Sequence, residues 1–146
     1  SSFMHFIRCS IVGREIKNHL SLLDWFLGQT NGAQLRGFIN HHWNGVTALQ
    51  FARVCRGIIE QDMALKSIQH LVPAGQVSKH ELLRLFAKHF ERHDISILPS
   101  NSDESVDRTL KTTDPAHNAE MWRCGGYQTI PDIDQSVAEL AAQSAP

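Results

Sequence analysis

NHHWNGVTALQFARVCRGIIEQ, residues 40–61, is the stretch whose reading decides the fold. It reads as the exit of a short strand, a turn and one buried helix. Thr47 precedes an apolar run and Gln50 follows three residues later, the spacing at which each side chain satisfies the other's orphan backbone donor. From there Ala48, Phe51, Ala52, Cys55, Ile58 and Ile59 recur at helical spacing, and Leu49 and Val54 widen the stripe beyond the needs of a surface helix. The sequence therefore predicts a mostly covered helix from Thr47 to about Gln61. Ahead of it, Trp43, Asn44 and Gly45 predict a turn that sets an aromatic ring, an amide and a flexible backbone side by side. Such a turn can face a ligand.

Outward on the amino side, residues 3–9 read as a strand and residues 10–13 as the loop leaving its carboxyl end, where α/β sheets collect ligands. Ser21 and Asp24 cap a short apolar helix over residues 22–27, stopped by Gly28. Residues 29–33 read as a turn and residues 35–39 as a strand. On the carboxyl side, residues 68–72 predict a third strand and residues 73–77 a loop. Ser78 with Glu81 then opens a helix whose Leu82, Leu85, Phe86 and Phe90 share one face. Residues 95–98 predict a short strand and residues 99–105 a flexible polar loop. Asp114 caps a helix with Pro115 at its first position, ended at Gly125 and Gly126. Asp132 with Gln135 opens the last helix, with Ile133, Val137, Leu140 and Ala141 as its inner stripe. This alternation predicts an α/β fold with a largely parallel sheet and two added helices. Four short strands make that sheet undersized for a parallel sheet covered on both faces.

At 146 residues, 42% hydrophobic and 20% charged, the chain has the profile of one soluble globular unit with a sizeable core. A formal net charge of -1 argues against nucleic acid or anionic lipid as the partner. Cys9, Cys55 and Cys124 are far apart and odd in number, which predicts reduced thiols in a cytoplasmic protein. No apolar run approaches the roughly 20 residues of a membrane helix. No signal-type leader precedes the strand-like start, and a further segment upstream of Ser1 is expected.

Few residues carry recognisable chemistry. His89 and His93 have metal-ligand spacing, but no acidic or cysteine partner is arranged around them, and solvated histidines near a helix end are the expectation; no metal is predicted. Adjacent His41 and His42 point to opposite sides of an extended segment. No glycine-rich phosphate loop is present. The single tyrosine, Tyr127, is followed four residues on by Pro131, so no tyrosine–lysine acid/base pair exists. The remaining polar residues on predicted loop tips are Ser10, Arg14, Asn18, His19, Trp43, Asn44 and Arg108. The Arg108 fork suits a diphosphate, or it pairs with Asp103, Glu104 or Asp107 on the surface; Trp43 stacks on a ligand or packs in the core. The sequence leaves both choices open.

Several segments together carry a resemblance: IRCSIVGRE (residues 7–15), SLLDWFLGQ (21–29), GFINHHWNGVTALQFARV (37–54), VSKHELL (77–83), DRTL (107–110) and GYQTIPDIDQSVAEL (126–140). In this order they resemble the carboxyl-terminal half of extended short-chain dehydrogenase/reductases, within them the sugar-nucleotide reductases like dTDP-4-dehydrorhamnose reductase. The resemblance implies a Rossmann-sheet-like portion at residues 1–13 and 46–75 and a substrate-lobe-like portion at residues 14–45 and 76–146. It puts Ser10, Ile11 and Gly13 near a nicotinamide, Asn18, His19, Trp43 and Asn44 along a substrate cleft, and Arg108 toward a nucleotide-diphosphate sugar. The family's glycine-rich loop and Tyr-x-x-x-Lys pair lie in an amino-terminal half that this sequence does not contain. The expectation is thus a binding unit without catalytic residues and with no cofactor of its own, taking NAD or NADP only when completed by an amino-terminal half. The alternative expectation is an interaction module that buries an exposed sheet edge in a homo-oligomer or against a complementary amino-terminal chain.

Overall fold

The structure, a computed structural model, describes residues 4–144. Phe3, with which the first predicted strand begins, and Ser1 lie outside the described residues. The first half contains β1 (Phe6–Arg8), β2 (Ile11–Val12), α1 (Leu22–Leu27), β3 (Gln34–Phe38), β4 (His41–Trp43), β5 (Val46–Thr47) and α2 (Ala48–Glu60). The second contains β6 (Ile68–His70), β7 (Val77–Ser78), α3 (Lys79–His89), β8 (Ser96–Ser100), β9 (Val106–Arg108), α4 (Pro115–Cys124) and α5 (Ile133–Gln143).

The α/β class and the parallel preference hold, but the strands form four small sheets. The pairs β1–β6, β2–β5 and β3–β8 are parallel. In the fourth sheet β4 is central, antiparallel to β7 and parallel to β9. Three expectations are corrected here. Residues 11–12, read as loop, form β2 because Ile11 and Val12 pair with Val46 and Thr47. The turn expected at Trp43 begins one residue later, since His41, His42 and Trp43 pair with Val106, Asp107 and Arg108. Pro99 and Ser100, read as the start of a polar loop, extend β8 opposite Gly37 and Phe38. In each case a partner far away in sequence supplies the bonds, and two or three residues are too few to display an alternating pattern.

The capping predictions hold at atomic level. Thr47 Oγ1 accepts from the Gln50 amide at 3.1 Å while Gln50 Oε1 accepts from the Thr47 amide at 3.0 Å. The same reciprocal box opens α3 at Ser78 and Glu81, and α5 at Asp132 and Gln135. The fully buried Gln50 does more than cap: its Nε2 donates to Ser136 Oγ at 2.8 Å, and Ser136 Oγ donates to the Asp132 carbonyl at 2.7 Å. One side chain thereby joins the start of α2 to the first turn of α5.

The buried apolar residues form two clusters. Leu23, Phe26, Leu83, Phe86 and Val137 belong to one, under α1, α3 and α5. Val46, Val54, Ile58, Leu71, Met121 and Trp122 belong to the other, where α4 lies on α2. That second contact is close because position 57 lacks a side chain: a Cβ on Gly57 would stand 1.8 Å from the Cys124 carbonyl oxygen. No helix among the described residues is long and apolar enough to cross a membrane.

Candidate functional site

A cleft of about 390 Å³ opens where the β2 segment, β4, β9 and the start of α3 meet. Two-residue alternation puts His41 and Trp43 of β4 on one face, and their register partners Val106 and Arg108 of β9 on that same face. All four contribute to the wall. Ser10 and Ile11 form the opposite side, and Lys79, the first residue of α3, closes the rim. A volume of this size suits a small ligand.

Trp43 is fixed in this wall. Its Nε1 donates to Ser10 Oγ at 2.6 Å, and the Ser10 carbonyl accepts from the Val46 amide at 2.8 Å. The ring can approach only because residue 45 is glycine, since a Cβ there would lie 2.2 Å from Trp43 Cζ2 and 2.4 Å from the Ser10 oxygen. Trp43 also packs against the first apolar cluster. The core-packing reading thus holds on one side of the ring, and the other side lines the cleft.

The cleft has a marked charge character. Among the described residues its wall contains Lys79, Arg108, His41 and His42 and no carboxylate. Arg108 is exposed and forms no ion pair among the described residues. Asp107, one of the surface partners considered for it, accepts instead from the Thr109 hydroxyl at 2.7 Å and the Thr109 amide at 2.9 Å. Those two bonds hold the Asp107 carboxyl below its ordinary range.

Of the residues expected at the site, Ser10, Ile11, Trp43 and Arg108 stand together, and four others stand apart. Gly13 packs with its Cβ position 3.0 Å from Ala48 Cβ, and its carbonyl accepts from Ser21 Oγ at 3.1 Å. Asn18 and His19 lie in the loop before α1, both in the left-handed region at φ 69 and 51. Asn44 is buried, and both halves of its amide are spent on the backbone of Leu110 at 2.7 Å. It anchors the strand that carries Arg108. Lys79 and His41 were missed by sequence reasoning. Lys79 is hidden inside a capping motif, and the pairing of His41 with β9 leaves no local signal.

The loop behind the cleft is organised by buried Asp24. Its carboxylate accepts from the Glu15 amide at 2.8 Å, stands 3.3 Å from His19 Nδ1, and pairs with Arg14 Nε at 2.6 Å. Burial pushes this carboxyl upward, and the Glu15, His19 and Arg14 contacts outweigh it, leaving it below the ordinary value.

Two other depressions are less suited to a ligand. A broader groove of about 810 Å³ beside α3 and α5 is mixed in charge, with Glu81, Asp132 and Asp134 beside Arg84 and Lys88. There Asp134 already pairs with Lys88 at 3.1 Å and His89 at 2.5 Å, so His89 is not the solvated histidine the sequence led us to expect. Near the third, of about 290 Å³, Tyr127 donates to Glu139 at 2.7 Å. Burial and the Glu139 bond push its phenol up to about 12, too high for proton exchange near neutrality. Burial likewise pushes the Cys9 thiol up to about 11, and Cys55 adds to it. Among the described residues no group of three or more His, Cys, Asp or Glu is placed to hold a metal.

No protein-family model and no curated protein sequence matches the chain. Solved structures do. The chain is similar to dTDP-4-dehydrorhamnose reductase from Bacillus anthracis in complex with NADP, at 11% identity and a TM-score of 0.71, covering 99% of this chain and 49% of that one. It is also similar to a dTDP-4-dehydrorhamnose reductase ortholog from Clostridium acetobutylicum, at 12% identity and a TM-score of 0.64, over 94% of this chain and 47% of that one. For UDP-glucose 4-epimerase from Thermotoga maritima, solved with UDP-glucose, the figures are 10%, 0.60, 93% and 44%. The chain thus spans about half the length of the structures it matches. Its fold is a carboxyl-terminal portion of the extended short-chain dehydrogenase/reductase-like fold, as the sequence resemblance implied.

Proposed function

We propose that this chain is a nucleotide-diphosphate-sugar-binding unit, with the ligand in the cleft between Trp43 and Arg108. The observation that carries this reading is the cleft wall itself: an immobilised indole, an arginine fork with no ion pair among the described residues, and no carboxylate in the lining. An aromatic plane serves the base or sugar, and the fork serves a diphosphate. Ser10 and Ile11 line the same cleft, and Asn44 supports it from behind.

A dinucleotide needs a phosphate cradle, usually a glycine-rich turn at a helix start. The segment expected near a nicotinamide does not fit one. The Ser10 hydroxyl and carbonyl are already bonded to Trp43 and Val46, and Gly13 is packed against Ala48. What it offers is the half-exposed Ile11 side chain as an apolar edge. In our reading the chain holds no dinucleotide by itself, and NAD or NADP binds only to an assembly with a complementary amino-terminal half. Titration calorimetry with UDP-glucose tests the binding role: Arg108→Ala should weaken affinity about tenfold, the worth of one charge-assisted contact. An unchanged affinity in the variant would remove Arg108 from the site.

A second reading has its own support. Among the described residues β1 is bonded on one side only, to β6, and Phe6 and Ile68 stand opposite each other in register with 53% and 54% of their surfaces exposed. Met4 beside them is 71% exposed. An open strand edge with this apolar face favours cover by a second copy or by a separate amino-terminal chain. Light scattering reporting a stable monomer without hydrophobic-dye binding would exclude that role.

A further inference from the structure

We infer that Lys79 is a second anion-binding residue of the cleft, and that Lys79 together with Arg108 selects ligands carrying two phosphoryl groups over ligands carrying one. This rests on the reading of the cleft as a nucleotide-sugar site and adds to it the residue that sets its charge preference.

Lys79 occupies the first position of α3, where a cation opposes the helix dipole and an anion would be favoured. It is not needed for the cap, because Ser78 and Glu81 satisfy each other. It forms no ion pair among the described residues. The Lys79 ammonium is thus left without a carboxylate partner among the described residues, and a bound anion at this helix start would take that place.

The ammonium is also held in place. Lys79 Nζ lies 5.5 Å from the centre of the Phe38 ring, within cation–π range. The His41 ring braces that phenyl group in turn, with centroids 4.7 Å apart. Phe38 at the end of β3 and His41 at the start of β4 thereby make a platform that restrains an otherwise flexible stem. The backbone of Arg108 is positioned separately, by the pairing of β9 with β4. Two independently positioned cations share one cleft wall that has no acid in it. A diphosphate can engage both, a point charge at lysine and a fork at arginine, whereas a monophosphate is limited to one.

The test uses the full 146-residue chain, with dissociation constants for UDP-glucose and for UMP. The unaltered chain should prefer UDP-glucose by about tenfold. Lys79→Met keeps the apolar stem and removes the charge, so it should bind UDP-glucose about tenfold more weakly and UMP within about twofold. Phe38→Leu keeps the charge and removes its platform, and should lose about threefold on UDP-glucose alone. Unchanged far-ultraviolet circular dichroism establishes that each variant folds. If the unaltered chain binds UDP-glucose and both variants keep its affinity and preference, Lys79 has no such role and the cleft reading stands. If the unaltered chain binds neither nucleotide, the cleft reading fails and this inference with it.

Discussion

The indole Nε1 of Trp43 donates to Ser10 Oγ at 2.6 Å, a bond that ties the β2 side of the cleft to β4 across 33 residues of chain. Gly45 beneath the ring makes that bond possible. Gly45→Ala should therefore drive the indole off Ser10 and cost about 1–3 kcal/mol, as overpacking does. Urea unfolding reads the stability, and near-ultraviolet circular dichroism reads the indole. An alanine variant as stable as the parent would show that the ring has room to move.

Gln50 and Ser136 form a coupled pair. Removing Ser136 leaves the buried Gln50 Nε2 without its acceptor, and removing Gln50 leaves the Thr47 amide without its cap while the Ser136 hydroxyl keeps its bond to the Asp132 carbonyl. Gln50→Leu and Ser136→Ala should each destabilise by about 1–3 kcal/mol. The double variant should cost less than the sum, because the orphaned group is then gone. A strictly additive double-mutant cycle would show that the hydrogen bond contributes nothing.

Asn44 acts through position. Asn44→Ala strips both bonds from the Leu110 backbone and loosens the end of β9, costing about 1–3 kcal/mol where the backbone groups stay unpaired. UDP-glucose should bind more weakly as well, although in our reading Asn44 touches no ligand. Retained affinity in a destabilised variant would separate Asn44 from Arg108.

Asp24 gives a dependence on pH with a defined sign. Its folded carboxyl titrates below the ordinary value of 3.8, so its ionised form stabilises the fold fully above that pH. The contribution fades as pH falls below 3.8 toward the folded value. The stability difference between the parent chain and Asp24→Asn should accordingly be constant near neutrality and shrink in acid. A difference that grows as pH falls would reverse the sign and contradict the Glu15, His19 and Arg14 contacts as its cause.

What was legible in the sequence was local. Thr47 with Gln50, Ser78 with Glu81 and Asp132 with Gln135 announce helix starts because both partners lie within one turn. The resemblance carried the fold because its segments, weak singly, recur in order along the chain. The short strands β1 and β6 were legible from their apolar runs, but β2, β4, β5, β7 and β9 were not, since residues such as Val12 and His42 owe their state to Thr47 and Asp107 rather than to their own neighbours. The same holds for the cleft. Trp43, Ser10 and Arg108 could be named as polar or aromatic residues near predicted turns, but the destination of the Asn44 amide, 66 residues away at Leu110, has no sequence signature. Lys79 reads as one more polar residue in a helix cap until Phe38 and the cleft are seen beside it.

The most direct measurement is titration calorimetry of the 146-residue chain with UDP-glucose up to millimolar concentration, at low and at high salt. A cleft that grips a diphosphate through Arg108 gives saturable heat that weakens as salt screens the charges and is reduced about tenfold by Arg108→Ala. A flat titration at millimolar ligand and low salt would contradict nucleotide-sugar binding and leave cover of the β1 edge by another chain as the role the fold supports.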